Sequence, residues 1–314
     1  MQKLVITAAI AACALALTAC GTPASDTGKP GDSKDSAGQS PTATTEEFDF
    51  STIKPDPEVV KLVPKDVKER DVLRNGASTD YAPLEMLKED GTTPTGAEVD
   101  LTKAIALTMG LKDGTTTTET FAALLPKVGS TYDIGASGFT VTAERIKTYD
   151  MLAFKNMGTL FAVKKGNPSG FNPDDPCGAT VGVQTGSYQE EDVLPRLNKE
   201  CLAAGKPEIK IQKEDLVNMV IPKVISGQYD AVIADDPVTA YNVKKAEGQL
   251  ETVGKTFDTT PLAIVVNKKN QDLSKAVKAA MDSLMKSGKF KEIMAVYGAD
   301  GDIYPEVKLN PDTK

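Results

Sequence analysis

From about residue 70 to residue 297, short β-like runs alternate with amphipathic helical runs. A Gly/Pro/Asn-rich stretch at 165–176 breaks this alternation in two. Alternating strands and helices specify a mainly parallel sheet covered by helices on both faces. Two such series split by a linker specify two α/β lobes. Before the break, apolar spacing predicts helices over 97–109, with Leu101, Ile105 and Thr108 or Met109 on one stripe, and over 121–128. Buried strands are expected over 132–136 and 159–163. After it come strands at 180–183, 209–211, 230–234, 250–253 and 262–266, interleaved with helices over 187–198, 215–226 and 237–246. Two helices, 271–287 and 288–297, close the body. Ligands of such sheets sit at the C-terminal ends of strands, often between domains.

The first residues do not belong to this pattern. Lys3 precedes an apolar run over 4–17, too short and too early to span a membrane, which reads as a secretory signal. Leu17-Thr-Ala-Cys20 resembles a bacterial lipobox, in which the cysteine becomes a lipidated N-terminus after removal of 1–19. Residues 21–45 carry no large apolar side chain and cannot offset their ordering entropy by burial. As a flexible tether this segment spans roughly 25–30 Å.

The net charge is −8, and loss of Lys3 with the signal makes it one unit more negative. An acidic body argues against nucleic acid and anionic lipid as partners. Histidine is absent, which removes Ser-His-Asp and Cys-His machinery and every zinc site that needs imidazole. No P-loop or Gly-x-Gly-x-x-Gly turn appears, so no cofactor and no metal site is expected. Cys13 leaves with the signal and Cys20 takes lipid, leaving Cys177 and Cys201. In an exported domain a disulfide is the natural reading, with two buried free thiols as the alternative.

Three strand-to-helix junctions carry the chemistry. In Gly135-Ala-Ser-Gly-Phe-Thr-Val-Thr-Ala-Glu-Arg145 a helix opens at Thr142, and Arg145 stands where a capping box would place Glu or Gln. A cation beside a helix start that prefers negative charge breaks a local rule, as functional positions do. Its guanidinium fork, the Thr140 hydroxyl and free backbone N–H groups suit a carboxylate. In Val181-Gly-Val-Gln-Thr-Gly-Ser-Tyr-Gln-Glu190, Ser187 and Glu190 form a capping box, and Thr185-Gly186 leaves a bare backbone approach for an anion. In Asp230-Ala-Val-Ile-Ala-Asp-Asp-Pro237, Asp236 is the expected N-cap because proline suits the first helical position, which frees Asp235 for a cleft.

These junctions, with Ser78-Thr-Asp-Tyr-Ala-Pro83, Thr95-Gly-Ala-Glu-Val-Asp-Leu101 and Phe121-Ala-Ala-Leu-Leu-Pro126, stand in the order seen in one family. Over about residues 58–298 the chain resembles the substrate-binding lipoproteins of ABC transporters in extracellular solute-binding family 3, the polar amino-acid group. Each motif is weak alone, and six in order are specific. The resemblance implies a two-lobed, periplasmic-binding-protein-like (type II) fold whose lobes are joined by two crossover hinge strands. Lobe 1 would comprise 46–164 plus 256–306, lobe 2 165–255, and 307–314 a C-terminal tail. It implies that Arg145 and Thr140, with backbone at Gly138 and Ser187, hold an amino acid's carboxylate. Asp235 would take the ammonium, and Tyr81 and Phe121 would pack on the side chain. Where the family often has an acid, this chain has Ser78; where it sometimes has a base, it has Gln184, and Ala234 precedes Asp235.

An uncharged side-chain pocket follows, which disfavours arginine, lysine and ornithine and points to a neutral, polar L-amino acid. Glutamate and aspartate are left without a cationic partner, because Arg74 is expected to face solvent. The protein would be a monomer, lipid-anchored on the outer face of the bacterial cytoplasmic membrane, handing its ligand to ABC permease subunits. One rival is a tethered sensor presenting its closed form to a receptor. The other is a dehydratase-like enzyme, for which Glu98 and Asp80 are the available acids; both read as solvated charges, and no catalytic role is expected.

Overall fold

Proline behind an aspartate starts the first helix. Asp56 accepts a hydrogen bond from the Glu58 N–H, and α1 (Pro57–Leu62) follows. The computed structural model describes residues 47–313, so the expected signal (1–19), lipid acceptor Cys20 and tether to residue 45 lie outside the described residues. Next come α2 (Lys65–Arg70), β1 (Val72–Ala77) and a small sheet of β2 (Asp80–Tyr81), β3 (Glu85–Leu87) and β4 (Pro94–Thr95). Helix α3 (Ala97–Thr108) buries Leu101, Ile105 and Thr108, with Met109 behind them, as the apolar spacing predicts. It leads to β5 (Asp113–Thr118), α4 (Phe121–Lys127), β6 (Ile134–Thr140), α5 (Ala143–Thr148) and β7 (Tyr149–Lys164).

The second series holds β8 (Thr180–Gln184), a π-helical turn over Gln189–Val193, α6 (Leu194–Ala203), β9 (Lys210–Glu214) and α7 (Val217–Ser226). After it come β10 (Ala231–Asp235), α8 (Asp236–Lys245), β11 (Leu250–Asn267), α9 (Gln271–Lys286), α10 (Lys289–Val296) and β12 (Ile303–Leu309). Cys177 and Cys201 are joined by a disulfide, with Cys201 buried in the core of this series.

The main sheet has the order β5-β1-β6-β11-β7-β10-β8-β9, with β12 also on β7. Pairs β1–β5, β1–β6, β8–β10 and β8–β9 are parallel, and the pairs made by β7 and β11 are antiparallel. Those two strands are the links between the halves. They run 16 and 18 residues and shift register between Val253 and Phe257, Phe257 and Thr260, and Leu262 and Ala263. The separate strands expected at 250–253 and 262–266 are thus the two ends of β11. Its middle, with Lys255, Thr256, Asp258, Thr259 and Thr260, is polar because it crosses between lobes instead of lying in a core.

The first lobe is built on β5, β1 and β6, the second on β10, β8 and β9. Val217, Ala234 and Val238 of the second lobe pack into the apolar cluster of the first, so the lobes meet face to face. The expected tail from residue 307 is instead strand as far as Leu309. Val307 is buried, and its N–H donates to Asp282 at 2.8 Å, which fixes the chain against α9. Among the described residues no helix is long and apolar enough to cross a membrane.

Candidate functional site

The C-terminal ends of β6, β8 and β10 converge on the seam between the lobes. At the end of β6, Thr142 caps α5 by accepting from the Arg145 N–H at 3.2 Å. That aims the Arg145 side chain back along the seam. Arg145 is buried, with Nη1 donating to the Thr140 carbonyl and Nη2 to the Gly186 carbonyl across the seam, both at 3.0 Å. Glu191 stands 3.6 Å away. The guanidinium carbon lies 5.8 and 5.7 Å from the ring centres of Phe121 and Phe139, which stack at 4.9 Å. Burial lowers the Arg145 pKa, yet a guanidinium keeps its charge in proteins. The result is a fixed buried cation with a planar donor fork, a geometry suited to a carboxylate.

Asp235 ends β10 and occupies the N-cap position of α8, but its side chain makes no cap bond. Asp236, the expected cap, is instead the first helical residue and accepts from the Gly158 N–H at 3.2 Å. The Asp235 carboxylate turns into the seam, where the Tyr81 hydroxyl and Gln189 Nε2 each donate to it at 2.8 Å. Burial raises its pKa to about 6, against the pull of those bonds and of Arg145. One lobe therefore brings a cation and the other an anion to a common, dry surface.

The remaining predicted residues divide. Ser78 is buried, donates to Asp80 at 2.7 Å and accepts from Gln184 Nε2 at 3.2 Å, joining the lobes. Tyr81 and Phe121 are buried at the seam. Gly186 has φ +78° and lies against Ala122 of the first lobe, where an added Cβ would come within 3.2 Å. Ser187 accepts from the Glu190 N–H at 3.2 Å, while Glu190 reaches the Gly186 N–H in place of that of Ser187. Thr140 meets Arg145 through its carbonyl, whereas its hydroxyl was the expected partner of a carboxylate.

Gly138 departs from expectation. Its N–H donates to the buried Glu98 carboxylate, so it is not free for a ligand, and its open Cα makes room for the Tyr81 ring, 3.0 Å from where a Cβ would stand. Arg74 pairs with Asp133 at 2.8 Å, outside the seam.

Glu98 and Asp80 are not the solvated charges expected of them. Glu98 is fully buried, and burial raises its pKa to about 7. Asp80 is largely desolvated, which raises its pKa also. Glu85 is fully buried and pushed well above the usual carboxylate range, first by burial and then by Glu98, with Asp80 and Asp235 adding to the effect. Both Glu85 oxygens and one of Glu98 have no hydrogen-bond partner among the described residues.

Sequence reasoning missed Gln189 as well. It sits in the π-helical turn, a device that recurs at functional sites, but the sequence there reads as an ordinary first helical turn.

Comparison with known proteins finds relatives named for amino-acid binding. The arginine-binding protein ArgT of Corynebacterium glutamicum is 34% identical over 258 residues, covering 82% of this chain and 84% of the relative. The L-cystine-binding protein TcyJ of Escherichia coli is 28% identical, covering 74% and 85%. Among solved structures, an ancestral arginine-binding protein bound to arginine is similar with a TM-score of 0.65 and 30% identity, covering 73% of this chain and 99% of that one. A mutant ArgBP of T. maritima gives 0.66 and 26%, covering 76% and 98%. These relatives are named for binding, in keeping with a chain that captures a solute and does not transform it. Residues 73–300 match the model of the bacterial extracellular solute-binding proteins, family 3, and the chain belongs to that family.

Proposed function

We propose that this protein captures an amino acid with a positively charged side chain between its lobes and presents the closed form to an ABC permease. The observation that carries the reading is the pair of buried countercharges, Arg145 on one lobe and Asp235 on the other, at one seam. A zwitterion gives up strong hydration on entering such a seam, so each of its charges needs a partner there. Because the two partners sit on different lobes, pairing both favours closure.

The choice of a cationic side chain is supported by the names of relatives, not by the net charge of the surroundings. Asp80, Glu85, Glu98 and Asp235 lie near enough for the other three to raise Glu85. Against them stand the buried cations Arg145 and Lys155, the latter donating to the Ala299 carbonyl at 2.6 Å. Burial holds Glu85 and Glu98 protonated, which leaves Asp80 and Asp235 balanced against the two cations, and the arginine-binding names of several relatives support a cationic guest.

A neutral, polar side chain is the second reading. Ser78 and Gln184, both uncharged, meet at one wall of the seam, and an ancestral arginine-binding protein has also been solved bound to glutamine. Calorimetry with arginine, lysine, ornithine, histidine, glutamine, asparagine and cystine separates the two. Cationic ligands binding at least about tenfold tighter than glutamine bear out the first, and the reverse order bears out the second. Binding of none of them overturns both. Arg145→Ala is expected to weaken binding by about 3–5 kcal/mol, because a buried carboxylate loses its partner; an unchanged Kd removes Arg145 from the site.

Delivery to a permease, rather than to a receptor, is tested by uptake of labelled ligand in cells with and without this chain. Anchoring through Cys20 is tested by lipid labelling of Cys20→Ser, which should abolish incorporation.

A further inference from the structure

Helix α7 begins at Val217 without a cap of its own. The residue before it, Leu216, is apolar and makes no side-chain cap bond, so the N–H groups of the first turn need partners from elsewhere. The Val217 N–H donates to Asp80, which lies 137 residues earlier on the opposite lobe. The other Asp80 oxygen accepts from the Ser78 hydroxyl at 2.7 Å, and Ser78 in turn accepts from Gln184. Within four residues, 78 to 81, the first lobe thus grips three separate starts and ends of the second. Ser78 holds the end of β8, Asp80 the start of α7 and Tyr81 the end of β10.

We propose that Asp80 is a closure residue: it supplies the N-cap of α7 across the cleft, so this helix is capped only when the lobes are together. Opening leaves the Val217 N–H at the positive end of α7 without its carboxylate and Asp80 without its charge–dipole contact. Part of the affinity for the captured solute then comes from a bond that touches no atom of that solute. The effect is the same for every ligand, which separates Asp80 from a residue that reads the side chain. The proposal takes from the functional reading only that the lobes open and close around a ligand.

The test compares Asp80→Ala, Asp80→Asn and Leu216→Ser, each first shown by thermal melting to be folded. Asp80→Ala should weaken binding of arginine and of glutamine by a similar factor, roughly two- to thirtyfold, the range of a lost N-cap. The change should lie in the dissociation rate, since the cap forms after encounter. Asp80→Asn keeps a good capping acceptor and should retain most of the affinity. Leu216→Ser gives α7 a cap within its own lobe, so Asp80→Ala added to it should cost less than about twofold. A fluorescence-transfer pair across the lobes should report a smaller closed fraction in Asp80→Ala with no amino acid added, so the proposal is testable even if the calorimetric panel finds no ligand. It is overturned if the closed fraction is unchanged, if Asp80→Asn is as impaired as Asp80→Ala, or if the loss appears for arginine alone.

Discussion

Three carboxylates near the seam have their charge state set by dehydration. Burial lifts Asp235 to about 6 and Glu98 to about 7, and raises Glu85 well above the usual range. Each binds its proton more tightly folded than unfolded. Below the unfolded values near 4 both states are protonated, and this part of the stability is fully present. As pH rises from about 4 to about 7 the unfolded chain loses protons that the folded chain retains, and stability falls. Melting temperature should therefore decline between pH 5 and pH 8, and Glu85→Gln, neutral at every pH, should flatten that decline. A profile that rises over this interval, or is unaltered in Glu85→Gln, contradicts the assignment. Sequence could expose Arg145 and Asp235 because each breaks a rule of its own helix start. It could not expose Glu85 and Glu98, whose burial is decided by strands and loops far along the chain, such as the Gly138 N–H that reaches Glu98.

Elements governed by local periodicity were legible, and those governed by partners were not. The stripe of α3 and the β8–Gly186 junction follow from spacing and turn chemistry. β11 does not, because its middle crosses between lobes and carries the polar residues of a loop. β12 is likewise strand by virtue of its pairing with β7. The Gly186 turn joins element to function: its φ of +78° suits glycine, and its Cα faces Ala122 of α4. Gly186→Ala should cost about 1 kcal/mol in stability from backbone strain. It should weaken ligand binding further, since the methyl group stands where the lobes touch. Calorimetry and small-angle scattering would show a weaker Kd and a more open average shape; wild-type values in both would place this turn away from the contact.

At the scale of the molecule, the disulfide lies wholly within the second lobe, joining the segment after β7 to α6. Cys177→Ser with Cys201→Ser should lower unfolding free energy by roughly 3–4 kcal/mol in the chain-entropy model. Denaturant melts would detect the loss, and an unchanged midpoint would mean the crosslink constrains little. The two-lobe plan itself was readable from the alternation and its interruption. How the lobes grip one another was not, because Asp80, Ser78 and Tyr81 meet partners more than a hundred residues away. The path of the chain has one more consequence. It departs the first lobe along β7, returns along β11, and then finishes with α9, α10 and β12 on the side where it began. The second lobe is in effect a cassette spliced into a continuous host, both of its junctions lying side by side. Any change in the length of that cassette is therefore absorbed without displacing the host's closing helices, whereas its face toward Ser78, Asp80 and Tyr81 must stay matched.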